Sequence, residues 1–510
     1  MDTLARVAHR AESPLLHRLN PPWVAILAVA AIAAVVRLWG LSTPPTLVFD
    51  ENYYAKAACI FVGGTDRYCK IESRNERAFR EQEWDVGSFV HPPLGKWTIA
   101  LGVKAFGMDA FGWRIGSAMA GTLAATGVAV IAHLLFGRPL WTFLGGLLLA
   151  LEHLSVVLSR QALLDIHLQL WIVAGSLCLV LDRRWIDLRT RRGPPSPEGA
   201  ESPVPSPLWR PWRYAAGIAF GAAVAVKWSG GLGLLTAIVV ALTWEASRRL
   251  RGDTTRRRAF GRALVQESFA LMIAFVLIPV VVYTVTYLPW LHHFGWDIKD
   301  FWDTQARIAR YHLFELRTLA PDPDTGALTP THYGYSRPWT WLIMKRPVPL
   351  TWQDLGPSIR QLTAIGNPVV FWGSIWVLPY LAWAWLRKRD WVPGFILLAI
   401  LLQYLPWLLA ARPQFFFYVA PFTPFLVLGL VYMVRDLSDA RLIVREPGGA
   451  VATDPETGRP AVSIWHPYRP VAWAVVVAAV GLFVWFWPVL TWMEISDAHL
   501  ELILWFPGWR

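Results

Sequence analysis

Two acids stand side by side in "LVFDENYYAK" (residues 47–56). Asp50 and Glu51 follow the first long apolar run and precede Tyr53, Tyr54 and Lys56. A carboxylate at the end of a membrane segment can accept the proton of an incoming hydroxyl as a general base. Two adjacent acids also raise each other's proton affinity, which helps one of them do so. Cations recur in comparable settings: His91 and Lys96 in "VHPPLGKW", Arg114 in "GWRIGSAMAG", Arg160 with Asp165 in "LSRQALLDIHLQLW", Lys227 in "AAVAVKWSGG" and Arg412 in "ARPQFFFYVAPFTPF". Carboxylates combined with several Arg and Lys at a bilayer surface suit one chemistry. The cations neutralise a lipid-linked phosphate as it leaves, and a carboxylate activates an alcohol. Each residue also has a plainer reading. Asp50 can pair with Lys56, Arg114 and Arg160 can snorkel toward headgroups, and Asp165 can pair with Arg160. Lys227 is harder to dismiss, ending an apolar run with no acid nearby in sequence. No Walker loop, strand-borne GxGxxG or HExxH occurs, and the histidines are scattered. A metal requirement stays open, and no cofactor is implied.

The elements that must position these residues are membrane helices. The 510 residues are 55% hydrophobic and 16% charged, against about 25% charged in soluble domains, and mean hydropathy is +0.37. Apolar runs near the ~20 residues that cross a bilayer are expected at 23–40, 113–136, 139–158, 162–181, 214–227, 231–246, 264–288, 368–386, 391–410, 414–434 and 471–490. This is the pattern of an all-α polytopic membrane protein with about eleven transmembrane helices. The net charge of +12 comes from Arg clustered in short loops, which is positive-inside topology and not a nucleic-acid surface. Placing the loops 182–213, 247–263, "RKRD" (387–390) and 435–470 in the cytoplasm puts the N-terminus inside and the C-terminus outside. Residues 1–22 then form a cytoplasmic tail without a cleavage site, 23–490 the membrane domain and 491–510 an external tail. Segment 193–208, rich in Pro and Ser, reads as a disordered cytoplasmic linker. Two long loops fall outside, 41–112 and 289–367, with room for short amphipathic helices. On this topology all the acids and bases named above reach one membrane face. Cys59 and Cys69 could pair if that face is oxidising, while Cys178 lies in an apolar run.

These motifs, in this order, resemble the protein O-mannosyltransferases that depend on dolichol- or polyprenyl-phosphate-mannose, in their bacterial, actinobacterial-like form. "FDENYYAKAA", "HPPLGKW", "WRIGSAMAGTL", "SRQALLDIHL", "AVKWSG", "QARIARYH", "HYGYSRPWTWLIMKRPV" and "RPQFFFYVAPFTPFL" carry the resemblance over about residues 30–435. Ile308 stands where Met is usual. The resemblance implies a C-type glycosyltransferase fold in the plasma membrane with an extracytoplasmic site. It implies inverting transfer of mannose from polyprenyl-phosphate-mannose to Ser or Thr of secreted or membrane polypeptides, with the protein translocation machinery a candidate partner. Asp50 would be the catalytic base or the carboxylate that orients the acceptor hydroxyl, with Glu51 beside it binding sugar or peptide. Arg114 and Lys227, helped by Arg160, would hold the donor phosphate. His91, Gln305, His332, Asp165 and Tyr53 would line the substrate site, with Tyr53 and Tyr54 packed at the lipid interface. A trefoil-type lumenal domain has no counterpart, since 289–367 is too short for one. A runner-up of the same architecture would deliver the sugar to a lipid or glycan acceptor. A transporter fits less well, because transporters place ionisable groups near the bilayer midplane.

Overall fold

Proline marks where several apolar runs turn helical. Pro22, Pro139, Pro211 and Pro368 each sit in a first helical turn, where the missing N–H had no helical partner anyway. The computed structural model describes residues 21–63, 69, 90–192, 206–250, 255–293, 295–315, 319–321, 328–330, 334–441 and 466–509. Nearly all of the expected N-terminal tail, most of the expected linker and His332 lie outside the described residues.

The first half runs α1 Pro22–Leu38, α2 Glu51–Phe61, α3 Leu94–Phe106, α4 Ala110–Phe136, α5 Pro139–Ala150, α6 His153–Ser159, α7 Leu164–Arg192, α8 Pro211–Val226 and α9 Gly231–Arg249. Then come α10 Arg256–Met272, a π turn at Ile273–Leu277, α11 Ile278–Thr286, α12 Leu288–His293 and α13 Ile298–Arg310. The second half holds α14 Pro368–Lys388, α15 Trp391–Tyr404, α16 Thr423–Asp439, α17 Arg469–Leu490 and α18 Asp497–Ile503. Helix α7 is the central staff, packed between α4 and α8. At the α3–α4 crossing a Cβ on Gly102 would stand 2.3 Å from the Gly112 carbonyl oxygen. Only glycine lets the two backbones meet there, two residues before Arg114.

A helix occupies each of the eleven predicted stretches, but the span count is smaller by length and composition. Among the described residues seven helices are long and apolar enough to cross a bilayer, and α5 with α6, bent by 59°, makes an eighth if counted as one. Helices α1, α8 and α16 have 17, 16 and 17 residues. The predicted helix at 414–434 starts late, at Thr423, because Phe416–Val419 within "ARPQFFFYVAP" form a short 3-10 turn instead.

The expectation of an all-α chain is also corrected. Strands β3 Val348–Asp354, β4 Ser358–Ala364 and β5 Glu494–Ser496 form an antiparallel sheet in that order, alongside a small hairpin of β1 Leu319–Pro321 and β2 Leu328–Pro330. The β3–β4 turn uses Gly356 at φ +90°, with its N–H on Asp354 Oδ1 at 2.8 Å. The turn chemistry of "DLGPS" between Thr-, Trp- and Ile-bearing runs was a readable hairpin signal.

Beyond β5 the chain packs back on the bundle. Trp509, 1% exposed, donates its indole N–H to the Met344 carbonyl at 2.6 Å and lies against Trp372, Phe486 and Trp505. Trp509→Ala is expected to destabilise the protein by about 3–5 kcal/mol, read as a lowered unfolding midpoint in detergent.

At the far end of α7 from Asp165 lies a buried ionic knot. Arg210 pairs with Asp182 and Glu245, Arg213 with Glu267, and Arg248 and Arg249 reach Glu245. These arginines come from the predicted cytoplasmic loops, yet Arg210 and Arg213 are buried rather than solvated.

Candidate active site

The site begins with a turn that separates the two acids. Phe49 adopts φ +50°, a conformation that bulky residues rarely take. The chain there reverses into α2, with Asp50 at the N-cap and Glu51 first in the helix. Glu51 points inward and is fully buried. Its Oε1 accepts from Arg114 Nε at 2.8 Å and the Ala162 N–H at 2.8 Å. Its Oε2 accepts from Arg114 Nη2 and the Val48 N–H, both at 2.9 Å. Arg114 gives its remaining N–H groups to the carbonyls of Leu41, Pro44 and Thr46 at 3.2, 2.7 and 3.1 Å. A guanidinium has five N–H donors, and here all five are engaged.

This corrects two expected roles. Arg114 has no donor left for a phosphate, and Glu51 has no accessible face for sugar or peptide. Together they clasp the 41–51 turn to α4 and to the α6–α7 link. Arg160 is corrected likewise. Its Nη1 donates to the carbonyls of Val36, Arg37 and Trp39, and its Nη2 to that of Gly40. It closes the C-terminal end of α1, where carbonyls lack helical partners and the dipole favours a cation.

Asp50 faces the other way and is half-buried. The Tyr54 hydroxyl donates to its Oδ2 at 3.4 Å. Tyr54 is itself buried, so it serves Asp50 and not the lipid interface where it was expected. Lys227 follows the last turn of α8 in extended conformation and donates to Asp165 Oδ2 at 2.7 Å. Asp165 therefore pairs with Lys227 and not with Arg160. Burial lifts the Asp50 carboxyl to about 6, with Lys227 opposing the rise and Asp165 adding to it. These three residues thus share one electrostatic neighbourhood. Lys227 also stands 5.7 Å over the Tyr418 ring.

His91 joins this group. Its ring stacks on His312 at 5.4 Å and lies 6.2 Å from Tyr54. Its carbonyl accepts from Lys96 Nζ at 2.8 Å. Burial, with Lys227 next in weight, pushes the His91 imidazole well below its ordinary pKa, so it is neutral here. Gln305 joins through intermediaries: its Oε1 accepts from the Tyr283 hydroxyl at 2.6 Å, which accepts from Trp228 Nε1 at 3.0 Å. Tyr53 is half-buried, its phenol pKa pushed up by burial and by the Asp50 charge. A disulfide joins Cys59 near the end of α2 to Cys69. Among the described residues no three His, Cys, Asp or Glu side chains group as metal ligands.

Sequence reasoning missed His312 and Tyr418. His312 stands just past α13, bonded to the Val90 carbonyl and to Arg412, while Tyr418 accepts from Arg412. Both lay inside quoted motifs, "QARIARYH" and "RPQFFFYVAPFTPFL", without being singled out.

Comparison with known proteins points one way. The family model described as Dolichyl-phosphate-mannose-protein mannosyltransferase matches residues 27–294. The polyprenol-phosphate-mannose–protein mannosyltransferase of Mycolicibacterium smegmatis is 29% identical over 531 residues, covering 96% of this chain and 93% of the relative. Its Corynebacterium glutamicum counterpart is 28% identical, covering 94% and 92%. Protein O-mannosyltransferase 1 of Drosophila melanogaster is 30% identical over 49% of this chain and 26% of its own. Among solved structures, the S. cerevisiae Pmt1–Pmt2 complex bound to the sugar donor superposes with a TM-score of 0.62 at 14% identity, covering 96% of this chain and 92% of that one. The Archaeoglobus fulgidus oligosaccharyltransferase in its apo form gives 0.51 at 13% identity, covering 94% and 57%. At such identities the likeness is one of fold, and that fold is the C-type glycosyltransferase architecture.

Proposed function

Since this chain belongs to the dolichyl-phosphate-mannose-protein mannosyltransferase family, we infer that it is a membrane glycosyltransferase moving mannose from polyprenyl-phosphate-mannose to Ser or Thr hydroxyls of polypeptides. One observation carries the assignment of roles: the accessible carboxylate of Asp50 shares its surroundings with the Lys227–Asp165 pair.

In the reaction the acceptor hydroxyl gives its proton to Asp50 as its oxygen bonds to the sugar C1. The bond from C1 to the phosphate oxygen breaks, and its electron pair leaves with the polyprenyl phosphate. Attack opposite the leaving group inverts the anomeric centre. Lys227 neutralises the departing phosphate, the largest share of such catalysis being electrostatic, and Asp165 holds that ammonium in place. Tyr54 orients Asp50, while Glu51 and Arg114 fix the turn that carries it. His91, Gln305 and Tyr53 border the substrate space.

The same reading puts the site on the extracytoplasmic side of the plasma membrane. Asp165 and Asp182 lie 17 residues apart on α7, about 25 Å at 1.5 Å per residue, so the catalytic group and the arginine knot flank most of a bilayer. With α1, α8, α16 and the bent α5–α6 pair inserted beside the seven longer helices, the spans number eleven. Polypeptides emerging from the translocation machinery would meet the site directly.

Purified protein given polyprenyl-phosphate-mannose and a Ser/Thr-bearing peptide is expected to yield mannosyl-peptide by mass spectrometry. Sugar arriving only on a lipid or glycan acceptor would reject the peptide part of this reading. The reaction also carries a pH signature. A base must be deprotonated, and the Asp50 carboxyl is lifted to about 6. The rate should therefore be level above that value and fall about tenfold per pH unit below it. A pH–rate profile of kcat/KM checks this, and no acidic limb near 6 would count against Asp50 as base.

A further inference from the structure

Most buried cations of this protein have a fixed answer to their charge. Arg114 has Glu51, Arg210 has Asp182 and Glu245, Arg213 has Glu267, and Lys227 has Asp165. Arg160 has the carbonyls that end α1. Arg412 differs. It lies between α15 and α16, half-buried, and both groups that hold its guanidinium are neutral. Nη1 donates to His312 Nδ1 at 2.6 Å, and Nη2 donates to the Tyr418 hydroxyl at 2.9 Å. Because arginine can only donate, His312 must present a bare Nδ1 and carry its proton on Nε2, which faces the Val90 carbonyl at 2.8 Å. Burial, with Arg412 beside it, holds the His312 pKa down to about 4, in keeping with a neutral ring. The Arg412 Nε–H is buried and, among the described residues, without a partner.

A half-buried cation with one N–H sealed from water and, among the described residues, no carboxylate beside it is favoured by an anion that completes it. The position shows where that anion would come from. Arg412 lies 5.7 Å from the Tyr418 ring centroid, and so does Lys227. One aromatic ring thus carries both cations, and Lys227 is the residue paired with Asp165 at the catalytic group.

We propose that Arg412 is the second cation for the donor's phosphate, sharing the Tyr418 ring with Lys227 and kept uncompensated by its two neutral holders. This rests on the reaction assigned above and gives a definite role to a residue that the sequence reading had named only among the cations of one membrane face. A phosphodiester donor carries one negative charge, and the departing polyprenyl phosphate gains a second as C1 separates from oxygen. A cation with no resident carboxylate favours that gain, whereas Lys227 must share itself with Asp165. Arg412 therefore contributes more to the leaving group than to the intact donor.

The test uses full-length protein in detergent, with undecaprenyl phosphate as an inhibitor competing with polyprenyl-phosphate-mannose. R412Q is expected to weaken inhibition by undecaprenyl phosphate about 10- to 100-fold, the range for a charge-assisted hydrogen bond, and to raise the donor KM less. R412K keeps the charge without the fork and should recover part of the loss, which a merely structural role would not do. Y418F removes one holder and leaves the ring; it should change inhibition several-fold at unchanged peptide KM. Inhibition of R412Q and R412K equal to wild type overturns the proposal and leaves the assigned reaction standing. Failure of undecaprenyl phosphate to inhibit the wild-type protein overturns the assigned reaction itself.

Discussion

Asp50→Asn is expected to cut mannose transfer about 10²- to 10⁴-fold, the usual contribution of a general base, with the protein folded and the donor still bound. The two acids were adjacent in sequence, and the structure divides their work. Asp50 is half-buried at an N-cap, and among the described residues its carboxylate accepts only the long contact from Tyr54. Asparagine keeps an oxygen that can accept from the buried Tyr54 hydroxyl, so the loss should appear in kcat and not in the unfolding midpoint. Single-turnover measurement at saturating donor separates the two. Near-normal transfer by this variant would remove Asp50 from the chemistry.

Arg114→Ala should do the opposite. Breaking a buried ion pair by removing one partner costs about 3–5 kcal/mol, and here Glu51 would be stranded with only the Val48 and Ala162 N–H groups. The carbonyls of Leu41, Pro44 and Thr46 would lose their donor as well. The expected outcome is a steep fall in folded yield and melting temperature, with an unchanged donor KM in the fraction that folds. Replacing both partners by apolar residues should not restore stability, because the surrounding backbone groups would still be unsatisfied. A stable Arg114→Ala protein with a raised donor KM would return this residue to the phosphate.

The membrane architecture was legible because it depends on the length of apolar runs and on loop charge, both local properties. Asp50 and Lys227 were legible for the same reason: each interrupts or ends such a run where water is scarce. Arg114 and Arg160 were misread because sequence shows that a cation is buried but not what it faces. Both face carbonyls of the same early stretch, the end of α1 and the turn after it, which are polar groups of no particular residue type. The β3–β4 hairpin was overlooked in a loop read for its aromatic and ionisable groups. Arg412 was grouped with the other cations of one expected membrane face, yet its partners lie 100 residues upstream and 6 downstream, and only the fold places them together.

The clasp on Glu51 also sets an order of assembly during synthesis. Its groups are delivered in sequence, Glu51 first, then Arg114, then the Ala162 amide, so the turn that carries Asp50 gains a firm footing while the N-terminal helices are still arriving. Lys227 comes later, and Arg412 later still. On the roles proposed above, a chain stalled between the two would hold a well-seated acid without its second cation, and polyisoprenoid carriers drifting past would go undischarged until the stretch after α15 had threaded into place.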